Sequence, residues 1–139
     1  MSARHKARKA AFDLLYSAEQ RGQTLTEALS DYRAREAAKR ETLTEFDYVA
    51  HIVSGVEDNA GAIDAAIVAH LKDWTMPRLF AVDRAILRIA TWELLFSDTP
   101  ADVVRAEALT LAGEFGSDDA VRFIGGVLGA IVRDMPQLQ

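Results

Sequence analysis

Residues 77–97 read PRLFAVDRAILRIATWELLFS, and this stretch decides the fold. At about 100° per residue, Leu79, Val82, Ile86, Ile89 and Ala90 fall on one side of a helix. Phe80, Leu87, Leu94 and Leu95 widen the apolar surface well beyond one stripe. A helix that is apolar over most of its circumference is surrounded by other helices. The stretch therefore predicts a central helix over about 77–97, with Pro77 in its first turn, where a missing N–H costs nothing. Arg84, Arg88 and Thr91 share one narrow face, either as a solvated strip or as part of a site. Asp83 stands apart from them. Glu93 falls within the apolar stripe, so it must be paired, hydrogen-bonded or protonated. A structural partner explains it, and an acid–base role needs a second reactive group that the sequence does not show.

Toward the C-terminus, Thr99 is a natural N-cap, with Pro100 at the first helical position and Asp102 at the third. Val104, Ala108, Leu111, Ala112 and Phe115 give the next helix an amphipathic series, closed by Gly116. Ser117 caps a last helix whose inner face is Ala120, Ile124, Val127, Leu128 and Ile131, and Pro136 follows its end. Asp118 and Asp119 sit in its first turn, where carboxylates favour the helix dipole. Gly125 and Gly129, one turn apart inside that helix, read as close packing of a neighbour or as a dimer contact, at a cost in helix propensity.

Toward the N-terminus, Ile63, Ile67, Leu71 and Trp74 form the stripe of a helix that starts near Asn59. Phe46, Val49, Val53 and Val56 belong to the helix before it, introduced by Thr44-x-x-Asp47, which resembles a capping box. Thr24-x-x-Glu27 is another capping box, heading a helix with Leu25, Ala28, Leu29 and Tyr32 on its apolar side. The RAREAAKRE that follows is polar all round and reads as a solvated helix end and connection. Residues 3–20 form the first helix, ended by Gly22. No window alternates with period two and no hairpin dipeptide appears. Residues 1–139 thus predict one all-α domain, a bundle of about seven helices with no β-sheet.

Composition narrows the function. With no cysteine there is no thiol catalysis and no Cys-ligated zinc or iron–sulfur site, and a reducing cytoplasmic setting fits. There is no run of 18 apolar residues and no apolar h-region behind the basic start, so neither a membrane span nor a signal peptide is expected. P-loop, nucleophile-elbow and His-Glu-x-x-His signatures are absent. His5, His51 and His70 are isolated and lack metal-ligand spacing, which favours structural or solvated roles. No cofactor is expected. A small enzyme built on Glu93 and Arg88 would lack a nucleophile or metal set.

The charge is unevenly placed. The first ten residues carry Arg4, Lys6, Arg8 and Lys9 and no acid, so a net −5 overall leaves −9 on the rest. Arg4 and Arg8 are one helical turn apart. Cations along one helix, followed by Tyr16, could hold a phosphate backbone and stack a base of single-stranded RNA. The competing reading is an ordinary basic terminus.

Specific segments resemble a known family. They are Arg4-x-x-Ala7-Arg8 with Ala11-x-x-x-Leu15-Tyr16, then Val53-x-Gly55-Val56 and Ile63-Asp64. Next comes Asp83-Arg84-Ala85-Ile86-Leu87-Arg88-Ile89-Ala90-x-x-Glu93-Leu94. The tail has Glu107-Ala-Leu-x-Leu-Ala112, Phe115-Gly116 and Phe123-Ile124-x-Gly126-Val127-Leu128. In that order they resemble the NusB family of bacterial transcription antitermination factors over nearly the whole chain. The resemblance implies a seven-helix fold that binds boxA RNA with NusE, a ribosomal small-subunit protein. Together they would help RNA polymerase, in its antitermination complex, read through terminators in ribosomal RNA operons. No covalent chemistry is implied.

By the family pattern, Arg4, His5, Lys6, Arg8 and Lys9 form the RNA-contacting segment, and His70, Phe115 and Asp119 align near the RNA path. Tyr16 and Asp83 look like positions facing NusE, with Arg88 nearby. His70 stands where the family has an aromatic, and His5 and Lys6 interrupt a denser arginine run. Ala106 and Gly125 replace usual asparagines, which removes side-chain hydrogen bonds at helix junctions. Some members self-associate over the RNA surface, and a homodimer here would use the basic helix and Phe115. The alternative function is a helical protein-interaction module without RNA binding of its own.

Overall fold

The computed structural model describes residues 2–39 and 43–138, with the side chains of 38, 39, 43–45, 137 and 138 outside the description. Among the described residues there are seven α-helices, one 3-10 turn and no strand. The chain divides into two compact units, Met1–Asp58 and Asn59–Gln139.

In the first unit, α1 (Ala3–Arg21), α2 (Leu25–Lys39) and α3 (Leu43–Asp58) all pack on one another. Ala7, Ala11, Leu14, Leu15 and Ala18 recur at helical spacing and are buried on α1, as are Val49, Ile52, Val53 and Val56 on α3. Ser2 caps α1, its side chain accepting from the His5 N–H at 3.1 Å. Gly22 ends the helix at φ 66°, the left-handed conformation that glycine enters at least cost. The Thr24–Glu27 box is reciprocal. Thr24 Oγ1 accepts from the Glu27 N–H and Glu27 Oε1 from the Thr24 N–H, both at 3.1 Å. The RAREAAK part of the polar RAREAAKRE segment is a helix end, the last turns of α2, while Arg40 and Glu41 lie outside the described residues. Its Ala, Arg, Glu and Lys content sustains a helix without an apolar face. α3 already runs from Leu43, so Thr44 lies within its first turn; the Thr44 side chain is among those not described.

The second unit is built on α5 (Ala81–Phe96), which packs against α4 (Ala60–Val68), α6 (Ala101–Phe115) and α7 (Asp118–Leu138). Ile86, Leu87, Ile89, Ala90 and Leu94 are buried around its circumference, as an all-round apolar helix requires. The helix does not begin at Pro77. Met76–Arg78 form a 3-10 turn, Leu79 and Phe80 are extended, and α5 starts at Ala81. Arg84 explains the break. Its Nη1 donates to the carbonyls of Met76 at 2.9 Å and Leu79 at 2.7 Å, tying the turn to the first turn of α5. Phe80 therefore leaves the core and is 77% exposed.

Helix α4 is also shorter than its stripe. Ile63 and Ile67 are buried, but the helix ends at Val68 and leaves Leu71 and Trp74 beyond it. His70 accounts for this. Its ring Nδ1 takes the Ala66 carbonyl at 2.7 Å, the acceptor that its own N–H would use in a continuing helix. That N–H bonds Ile67 instead, Leu71 bonds Val68, and Asp73 turns to φ 62°.

Two further boundaries shift. Pro100, at ψ 141°, is the cap of α6 rather than its first residue, and its carbonyl accepts from Val103 and Val104. Thr99 gives no side-chain cap to the helix; its N–H donates to Ser97 Oγ at 3.2 Å. Pro136 lies inside α7, in its last turn, where the hydrogen bond that proline forgoes is close to the frayed end. Ser117 caps α7 as its position predicts, its Oγ accepting from the Ala120 N–H at 3.1 Å. Packing of α7 on α6 explains Gly125, where a Cβ would already touch Leu109 at 3.4 Å.

Candidate nucleic-acid and partner interface

The basic helix sorts its cations by depth. Arg4 and Lys6 are exposed and Lys9 is half-buried, whereas His5 is 7% and Arg8 3% exposed. The apolar face containing Ala7, Ala11 and Leu15 carries Arg8 inward. Arg4 and Arg8 do share a face. Both guanidinium groups address the Tyr48 ring on α3, at 4.5 Å and 5.8 Å from its centroid. Tyr48 thereby fixes Arg4 on the surface through cation–π attraction. Tyr16 is 38% exposed, about 18 Å along α1 from Arg4, and it stacks on Phe12 at 6.2 Å.

In the second unit, the 3-10 turn and the N-terminal ends of α5 and α7 line a half-open cavity of about 340 Å³. Trp74, Phe80 and Phe123 supply aromatic walls, Arg78 stands over the Trp74 ring at 5.7 Å, and Asp83 and Asp119 supply the acids. Asp83 is 6% exposed. Burial without a compensating charge pushes its carboxyl above the usual aspartate range. Exposed aromatic rings beside one buried carboxyl, that of Asp83, suit a cationic or aromatic side chain.

The other expected site residues, and Asp119 itself, have partners of their own. His70 Nε2 bonds Asp134 on α7 at 2.6 Å while its Nδ1 holds Ala66, and its side chain is 8% exposed. Arg88 forms a two-bond fork with Asp64 on α4, at 3.0 and 3.1 Å. Asp119 pairs with Arg122 one turn on, at the surface. Phe115 is 36% exposed at the end of α6. Glu93 is 1% exposed and is engaged by a neighbouring group, the structural role open to it. Among the described residues no cluster could hold a metal ion, and no helix is long and apolar enough to cross a membrane.

Four contributors escape the sequence reading. Trp74 looks like stripe, although the intervening Lys72-Asp73 already signals a break. Phe80 looks like core. Phe123 precedes the inner-face Ile124 by one position, so a helical wheel puts it about 100° off that face. Tyr48, between Asp47 and Val49, is likewise off its stripe, and only the fold brings it to Arg4.

Comparison with known proteins adds to this geometry. The NusB family description matches residues 5–133. The fold superposes on T. maritima NusB with a TM-score of 0.81 at 29% identity, covering 94% of this chain and 91% of that one. NusB from Aquifex aeolicus, solved in solution, gives 0.78 at 29% identity over 99% and 92%. A crystal structure of the antitermination factors NusB and NusE in complex with dsRNA gives 0.82 at 29% identity over 96% and 98%. A match over residues 5–133, carried on seven helices in the expected order, makes this chain a member of the NusB family.

Proposed function

We propose that this chain is a transcription antitermination factor that binds boxA RNA of ribosomal RNA operons together with NusE, in the cytoplasm, and so supports read-through by RNA polymerase. The observation that carries the reading is the near full-length likeness to a NusB that was crystallised with NusE and RNA. Its role is binding, with no covalent step.

Arg4 and Lys6, with Lys9 beside them, are the cations of α1 placed to meet phosphates. His5 and Arg8 serve beneath them by holding the helix end. Tyr16 and the Asp83 cavity are the surfaces offered to NusE, and the desolvated acid of the cavity favours a basic side chain from that partner. Arg88 positions this region through Asp64. Phe115 and Asp119 flank the start of α7, at the edge of the RNA path. The whole of residues 1–139 acts as one NusB-like module.

A second reading has one observation in its favour. Burial of His5 and Arg8 and the engagement of His70 leave fewer accessible RNA-facing groups than the sequence implies, which suits a pure protein-interaction module. Titration of labelled boxA RNA, with and without NusE and at two salt concentrations, separates the two. Tight, salt-sensitive binding that improves with NusE, and that Arg4→Glu with Lys6→Glu removes, is the expected result. Retained NusE binding with no RNA binding would select the interaction module, provided light scattering shows a monomer. A homodimer would instead point to an RNA face covered by a second copy.

A further inference from the structure

Two arginines of the second unit converge on one backbone position, with no acid between them among the described residues. Arg105 projects from α6 and Arg133 from α7. A Cβ placed on Gly129 would stand 3.4 Å from Arg105 Nη2 and 3.6 Å from Arg133 Nη1. Neither guanidinium forms an ion pair with a described carboxylate; Asp134, next along α7, is bonded to His70. Arg105 is also short of acceptors. Its Nη2 reaches the Gly125 carbonyl only at 3.4 Å, and its Nε is shut off from solvent with no partner among the described residues.

That arrangement is costly as it stands. A guanidinium has five N–H donors and no acceptor, so a partly buried one needs oxygen atoms around it. Two such groups over one glycine repel each other, in a chain whose net charge is −5. The glycine row gives the room. Gly125 and Gly129 are one turn apart on α7, and Leu109 and Arg105, one turn apart on α6, lie against them. A phosphodiester has two non-bridging oxygens and can offer one to each guanidinium.

We propose that Arg105 and Arg133 form an oxyanion site that takes a backbone phosphate of bound RNA, separate from the cations of α1. The source of the phosphate rests on the RNA-binding reading above. The contact is to phosphate alone, so it adds affinity and salt dependence without sequence preference.

The test is a salt series of boxA RNA titrations, with NusE present, on the wild type, Arg133→Gln and Arg105→Gln. Each variant should lower the slope of log K against log salt by about 0.7, the value for one single-strand phosphate contact. Each should weaken boxA and scrambled RNA by the same factor. A merely structural arginine would not move the slope. Arg133 is exposed near the end of α7, so its variant keeps the readout if Arg105→Gln fails to fold. Unchanged slopes in both variants, in a protein whose Arg4→Glu, Lys6→Glu form loses RNA, would overturn the site and leave the function standing. No RNA binding by the wild type would overturn both. A parallel titration with inorganic phosphate follows the Arg105 Nε–H resonance. Saturation there with unchanged RNA slopes would rule out RNA as the source.

Discussion

Arg88 and Asp64 meet through two parallel hydrogen bonds, Nε to Oδ1 at 3.0 Å and Nη2 to Oδ2 at 3.1 Å, which join α5 to α4. The pair is part-buried, at 28% and 35% side-chain exposure, so solvent only partly screens it. Planarity matters here, since lysine cannot reproduce the fork. Arg88→Lys should lower unfolding stability by about 1 kcal/mol and Arg88→Ala by about 2 kcal/mol. The urea midpoint measures both. Equal losses for Lys and Ala would show that the fork geometry contributes nothing.

Asp83 should oppose folding at neutral pH. Its folded carboxyl titrates above the usual aspartate range because burial disfavours its charge. The folded state therefore binds the proton more tightly than the unfolded one. As pH rises between the two values, the unfolded state loses its proton first and stability falls. Asp83→Asn should then raise the melting temperature at pH 7. The gain should shrink as pH drops through the raised value and vanish below the ordinary aspartate range. If Asp83 instead receives a basic side chain of NusE, the same variant should weaken NusE binding while the free protein becomes more stable. A gain in stability with unchanged NusE affinity would remove Asp83 from that surface.

Two glycines should fail for different reasons. Gly22 has φ 66° and open space around it, so Gly22→Ala costs only the left-handed strain, about 1 kcal/mol, and Gly22→Asn recovers part of it. Gly116 has an ordinary negative φ, but a Cβ there would lie 2.9 Å from the Ala112 carbonyl oxygen and 3.0 Å from Ala120 Cβ. Gly116→Ala should cost about 2 kcal/mol by overpacking, and Gly116→Asn should not rescue it. Thermal melts of the four variants give the answer.

His70 tests a position read from the family rather than from its surroundings. Both ring nitrogens are bonded, to Ala66 and to Asp134, and they hold the end of α4 against α7. His70→Ala should lower stability by about 1–2 kcal/mol and leave boxA affinity within about twofold. A large fall in RNA affinity with little change in melting would return His70 to the RNA path.

The helices were legible because burial is written in periodicity: Ile86, Ile89, Ala90 and Leu94 could hardly be arranged any other way. The ends were less so. Arg84, taking two backbone carbonyls before α5, and His70, taking one at the end of α4, stop helices by side-chain chemistry that no hydrophobic pattern records. The candidate surfaces were legible only in part, for a related reason. Charge composition marks Arg4, Lys6, Arg8 and Lys9 alike, but the helix phase that buries Ala7 and Ala11 also buries Arg8. The cavity draws Trp74, Asp83, Asp119 and Phe123 from three separate segments, so only the packing of those segments reveals it.

Tyr48 offers the sharpest separation of positioning from contact in the first unit. Its ring lies 4.5 Å from the Arg4 guanidinium, while Tyr48 itself is only half-buried on α3. An exposed cation–π contact contributes about 0.5–1 kcal/mol, enough to restrict an otherwise mobile side chain. If Arg4 meets RNA from that position, Tyr48→Ala should weaken boxA binding by about two- to fivefold. Tyr48→Phe retains the ring face and should bind as the wild type does. The salt slope should stay unchanged in Tyr48→Ala, because the number of phosphate contacts is the same, whereas Arg4→Ala should lower it by about 0.7. Equal slopes and affinities in Tyr48→Ala and Arg4→Ala would mean that the ring, not the cation, is what RNA touches.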